Sequence, residues 1–145
     1  MSGADASLEA GTAERMVPAR PAPSPEDLGS RLLLRPALLL LLSDHEGHGY
    51  ELMGRLGELG AEVPPTTGAL YRSLRVMADE GLVRSYWHTS ERGPARRVYA
   101  ITPLGKQHLD QLIAGLSSLL RTVQHILDRY RVPGELGRAP TQAAR

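Results

Sequence analysis

Between Leu109 and Tyr130 the apolar residues fall at Leu109, Leu112, Leu116, Leu119, Val123, Ile126 and Tyr130. The steps alternate between three and four, which keeps all of them on one face of a helix. Ile113, Leu120 and Leu127 lie beside that line and widen the stripe. A small domain needs only one or two turns of such a helix to complete its core. The rest would stand as bare apolar surface in a single copy. The stripe therefore predicts a long C-terminal helix that packs on its own domain and also pairs two copies. The dimer seam is expected at Leu109, Leu112, Leu116, Leu119, Val123, Ile126 and Tyr130. Thr102-Pro103 marks the start, with Thr as cap and Pro in the first turn. Pro133-Gly134 ends the helix near Arg131.

A second stripe organises the middle of the chain. In Thr66–Glu80 the residues Leu70, Leu74 and Met77 share one helical face, while Thr67, Tyr71, Arg72 and Arg75 occupy the other. Thr66 or Thr67 caps this helix, and Gly81 terminates it. Before it, Tyr50–Leu59 reads as a helix with Leu52, Met53, Leu56 and Leu59 on one side, stopped by Gly60. Val63-Pro64-Pro65 is the turn between the two. Upstream, a helix runs from about Gly29 or Ser30 to Leu42. Pro36 either kinks it or begins its regular part. The polar Ser43–Gly49 reads as a turn.

After the Thr66–Glu80 helix, Leu82–His88 and Arg96–Ile101 read as strands joined by the polar loop Thr89–Ala95. The order is helix, helix, turn, helix, two-stranded hairpin, long helix. The expected fold is mainly α with a small β-hairpin, a winged helix-turn-helix plus a long C-terminal dimerisation helix. The corresponding segments are a disordered tail over 1–28, rich in Ala, Gly and Pro, a DNA-binding domain over 29–102, the dimerisation helix over 103–131, and a polar tail over 132–145.

Charge supports this reading locally rather than globally. The net charge is only +1. Yet between Thr66 and Lys106 there are seven basic residues against three acidic ones, an excess of four. Arg72 and Arg75 suit guanine edges or phosphates, and Tyr71 can donate to a phosphate or pack partly beneath the hairpin. Thr66 and Thr67 sit at a helix start, where free N–H groups also bind phosphate. In the hairpin, Arg92 stands at the loop tip. Arg96 and Arg97 alternate to opposite faces, so only one is expected to point at DNA. The DNA contacts expected are thus Thr66, Thr67, Tyr71, Arg72, Arg75, Arg92, Arg96 and Arg97.

Other chemistries find little support. With no cysteine, disulfides, thiolate zinc sites and thiol catalysis are excluded. Asp44-His45-Glu46 and His48 crowd one turn, but a metal site needs three or four converging ligands, so no metal is expected. His48, His45 and the scattered His88, His108 and His125 are read as structural or exposed. No nucleophile, base and oxyanion set is recognisable, and no phosphate-binding glycine loop, so the chain is not read as an enzyme and needs no cofactor. The Leu32–Leu42 run is too short for a membrane span and is broken by Arg35 and Pro36. No small-residue cleavage site follows it, so it is read as a core helix. A cytoplasmic location is expected. The core contains no Phe; Leu fills it, with Tyr86 and Trp87 expected to join it rather than line an effector pocket.

The sequence resembles the PadR family of bacterial transcriptional regulators, through motifs that fall in the family's order. They are His48-Gly49-Tyr50-Glu51-Leu52, Gly68-Ala69-Leu70-Tyr71-Arg72-Ser73-Leu74, Glu80-Gly81-Leu82-Val83, Gly93-Pro94-Ala95-Arg96-Arg97-Val98-Tyr99 and Ile101-Thr102-Pro103-Leu104-Gly105. The wording of the wing looks most like the subgroup of poly-β-hydroxybutyrate-responsive repressors. The resemblance implies a homodimeric repressor that binds a double-stranded operator and releases it when a small-molecule effector binds. It also implies that the last helix makes the dimer. The chain departs from the family at Pro64-Pro65-Thr66-Thr67-Gly68 and at Val76-Met77-Ala78-Asp79. Two rival readings are a winged-helix module for protein partners and a ligand or metal sensor without strong DNA binding.

Overall fold

The computed structural model describes residues 19–60 and 65–131. The elements are α1 (Pro25–Asp44), β1 (Gly47–His48), α2 (Gly49–Leu59), α3 (Thr67–Asp79), β2 (Val83–His88), β3 (Arg96–Ile101) and α4 (Pro103–Tyr130). The winged helix-turn-helix, its hairpin and the long last helix are as the sequence indicated. Most of the expected N-terminal tail, the C-terminal tail and part of the Pro-Pro turn lie outside the described residues.

Two boundaries differ. α1 begins at Pro25 rather than at Gly29 or Ser30. The cause is a capping box: the Ser24 hydroxyl accepts from the Asp27 N–H at 3.1 Å, and the Asp27 carboxylate accepts from the Ser24 N–H at 3.4 Å. Pro25 in the first turn has no N–H to leave orphaned. The helix then runs through Pro36 instead of starting there. The second difference is β1. Gly47 pairs with Tyr99 and His48 with Val98, so Ser43–Gly49 is not all turn. The hairpin becomes a three-stranded antiparallel sheet in the order β1-β3-β2.

The core is built from leucine. Leu38 and Leu39 of α1, Leu52 and Leu56 of α2, and Leu70, Leu74 and Met77 of α3 are fully buried together. Val83 and Tyr99 close it from the sheet. Removing water from these side chains is the main stabilising term, on the order of 2 kcal/mol for each. Arg55 of α2 donates to the Leu41 carbonyl at 2.6 Å and so satisfies the C-terminal end of α1. α4 is anchored at its start. The Thr102 hydroxyl donates to the Gly81 carbonyl at 2.6 Å and accepts from the Gly105 N–H at 3.0 Å. A Cβ on Gly105 would run into the Leu82 carbonyl oxygen and the Ile101 side chain.

The stripe along α4 divides into two fates. Leu109 is buried in the chain's own core and Leu112 packs against it. Leu116 is half-buried; with Leu119, Leu120 and Val123 it lines an apolar groove of about 470 Å³, whose other wall is Pro25, Leu28, Gly29, Leu32 and Leu33 of α1. Beyond the groove, Ile126 and Tyr130 stand exposed. Among the described residues no helix is long and apolar enough to cross a membrane.

Trp87 corrects the expectation that it joins the core: it is 64% exposed. Tyr86 is also outside, with its hydroxyl on the Glu46 carboxylate. Val83, Ser85 and Trp87 share one side of β2. The core ends before that side does.

Candidate nucleic-acid interface

α3 is fixed at both ends. Thr66, not Thr67, is the cap; its hydroxyl accepts from the Ala69 N–H at 3.2 Å. At the far end Glu80 forms a two-pronged salt bridge with Arg35 of α1. That hydrogen bond holds the Glu80 carboxyl below the usual carboxylate range. Because the folded-state value is depressed, the stabilisation is fully present above the ordinary carboxylate range and is lost as pH falls to and through the depressed value. Glu80→Gln should therefore cost stability at neutral pH and little at an acid pH well below the depressed value. The check is urea unfolding of both proteins at the two pH values; an equal gap at both would remove the ion pair as the cause.

Between these anchors Thr67, Tyr71, Arg72 and Arg75 all face solvent. Among the described residues neither Arg72 nor Arg75 has a carboxylate within salt-bridge distance. Tyr71 has two roles. A Cβ on Gly49 would meet the Tyr71 ring at 2.5–2.6 Å, so the ring lies against the glycine at the start of α2. The other side of Tyr71 remains exposed.

The sheet contributes the remaining arginines. Arg92 is exposed at the loop between β2 and β3, as expected for a tip. Arg96 pairs across the ladder with His88, and Arg97 with Trp87. Their side chains take different partners. Arg96 Nη1 stands 3.2 Å from His48 Nε2. Arg97 Nε donates to the Ser85 hydroxyl at 3.0 Å, and its guanidinium lies 5.9 Å from the Trp87 ring centre. Despite their alternation, both border one hollow of about 400 Å³ with His48, Gly49, Tyr50 and Tyr71. Hence α3, the start of α2 and the wing form one continuous polar face.

Two residues of this face escaped the sequence reading. Tyr50 is 84% exposed at the N-terminal end of α2. Its signal was available: it sits opposite the Leu52 and Leu56 stripe, where a large aromatic has no core to enter. His48 caps α2 through Nδ1, which accepts from the Glu51 N–H at 3.2 Å. Its contact with Arg96 follows from β1, which was not foreseen. Near the same loop, hydrogen bonding to Glu46 pushes the Tyr86 hydroxyl above its ordinary range. Among the described residues no group of three or more His, Asp or Glu side chains gathers as a metal site.

The description "Transcriptional regulator PadR-like family" is that of a family model matching residues 38–111. The chain is similar to the transcriptional regulator Rv3488 of Mycobacterium tuberculosis, 36% identical over 93 residues, which are 64% of this chain and 84% of that one. A PadR-like transcriptional regulator from Bacillus cereus superposes with a TM-score of 0.60 at 28% identity, covering 69% of this chain and 96% of that one. PadR of Bacillus subtilis, solved in complex with operator DNA, superposes with a TM-score of 0.52 at 27% identity, over 56% of this chain and 46% of that one. These relatives are regulators, not enzymes.

Proposed function

The chain belongs to the PadR-like transcriptional regulator family, and from that premise we propose that it is a homodimeric, sequence-specific DNA-binding repressor relieved by an effector. The observation that carries the reading is the outer face of α3, where Arg72 and Arg75 stand exposed with no acidic partner among the described residues. A helix of this kind lies in a major groove, with the wing on the adjoining minor groove or its phosphates. Thr67 and Tyr71 add donors beside the arginines, while Arg92, Arg96 and Arg97 supply the wing. The operator DNA held by the Bacillus subtilis relative favours the same use here.

The dimer follows from the groove between α1 and α4 and from the exposed apolar residues beyond it. A symmetric partner would cover Leu119, Val123 and Ile126, and the effector would lodge in the same seam. The protein would then act in the cytoplasm, where its operator is. The direct test is an electrophoretic shift with the DNA upstream of its own gene, at fixed salt and with unrelated competitor. A complex that resists competitor supports the reading; equal binding to both DNAs rejects sequence specificity.

The seam has its own test. Leu119→Asp with Val123→Asp would bury unpaired charge in a dimer and should weaken association by at least about 3 kcal/mol, more than a hundredfold. Sedimentation should show a monomer for the variant and a dimer for the parent. A variant that stays dimeric would place the interface elsewhere.

A further inference from the structure

The polar face contains a cleft whose two walls come from different elements. One wall is α3, with Tyr71, Arg75 and Asp79; the other is the inner side of the β2–β3 sheet, with Ser85, Trp87 and Arg97, and the space is about 440 Å³. The ladder explains the second wall. Val83 opposite Ile101 lies on the core, Ser85 opposite Tyr99 at its margin, and Trp87 opposite Arg97 beyond it. The sheet thus overhangs α3, and Trp87, although largely apolar, is 64% exposed.

Arg97 is already ordered in this cleft. Its Nε donates to Ser85, and its guanidinium carbon lies over the Trp87 ring, 5.9 Å from the ring centre. Among the described residues its two terminal nitrogens carry no hydrogen bond. A guanidinium tethered at Nε presents its remaining N–H groups as a fork suited to an anion, with little rotamer freedom left to lose. Asp79 is the carboxylate that borders the cleft; it lies one turn past Arg75, and among the described residues it bridges to neither arginine.

We propose that Trp87 is a positioning residue, which holds Arg97 over the cleft between α3 and the wing to grip a phosphate of the DNA strand. This rests on the DNA-binding reading given above. With α3 in a major groove and the wing at the adjoining minor groove, the sugar-phosphate backbone that separates the two grooves passes across this cleft. A phosphate contact is independent of sequence and releases counterions, so it is visible as salt dependence.

The experiment measures affinity for a mixed-sequence duplex across a range of NaCl concentrations. Arg97→Ala should reduce the slope of log affinity against log salt by about 0.9 per protomer bound. Trp87→Ala should produce the same reduction although Arg97 is present. Trp87→Phe should restore most of it, and the double variant Trp87→Ala with Arg97→Ala should be no worse than Arg97→Ala. Trp87 is the single tryptophan, so its emission should also shift when DNA is added to the unaltered protein. Unchanged helix content by circular dichroism controls for folding. A normal slope in Trp87→Ala beside a reduced one in Arg97→Ala overturns the positioning role. Normal slopes in both overturn the phosphate site. Failure of the unaltered protein to bind any duplex at low salt instead rejects the DNA-binding reading, and this inference with it.

Discussion

Replacing Arg72 and Arg75 together with alanine should lower operator affinity by roughly a hundredfold or more, while leaving the fold intact. Each arginine that reads a base edge or clamps a phosphate contributes on the order of 1–3 kcal/mol, so the two contacts of one protomer alone total roughly 2–6 kcal/mol, which spans a hundredfold and reaches beyond it. The fold should not notice, because both side chains face solvent and the buried side of α3 is Leu70, Leu74 and Met77. The two kinds of contact can be told apart. Loss of a base contact relaxes preference at one operator position, whereas loss of a phosphate contact weakens all sequences alike and flattens the salt dependence. Fluorescence anisotropy with operator, mutated operator and unrelated DNA makes the measurement. Operator affinity within a factor of about two of the parent protein's would remove α3 as the reading element.

Gly105→Ala should destabilise the protein by about 2–3 kcal/mol, a large effect for one methyl group. The added carbon meets the Leu82 carbonyl, which is backbone and already accepts from the Thr102 N–H at 3.0 Å. It cannot swing aside as a flexible side chain would. Relief requires α4 to slide away from the turn after α3, breaking the Thr102 hydroxyl contacts that anchor the helix. The same change at Gly115 provides the contrast, since a Cβ there meets nothing within 4 Å. In that exposed stretch of helix, alanine should stabilise by up to about 1 kcal/mol through its better helix propensity. Chemical denaturation of the two variants should therefore give shifts of opposite sign. Stabilisation at both positions would show that propensity, not the close approach to Leu82, governs them.

Much of this architecture could be read from local chemistry. Thr66 before α3 and Thr102-Pro103 before α4 are caps that act within four residues, so they are visible without a partner. The Leu70, Leu74 and Met77 stripe is equally self-contained. What could not be read depends on distance along the chain. β1 is only two residues long, and its partner strand is about fifty residues away; neither periodicity nor propensity reports such a pairing. Trp87 illustrates a second limit. Alternation assigns a residue to a sheet face but does not say where along the strand the core stops. Leu109 and Ile126 illustrate a third. Both sit on the same apolar line, yet one is inside the chain's own core and the other outside it, which only the length of α4 relative to the domain decides. The Ser24 capping box is equally local, but the prolines crowded around it read as tail rather than as a helix start.

The division of α4 into a buried start and a bare far end has a mechanical consequence. The helix is 28 residues long, about 42 Å at the usual rise, and no proline interrupts it after its first turn. It is an unjointed shaft keyed into the winged helix by Thr102, Gly105 and Leu109. Whatever grips the exposed end therefore turns the end keyed into the winged helix with it. A tilt of about 5° over such a length displaces one end by roughly 3–4 Å, comparable to one base-pair step. In the proposed dimer, a small change at Val123 or Ile126 would thus detune the spacing of the two α3 helices without altering any residue proposed to touch DNA.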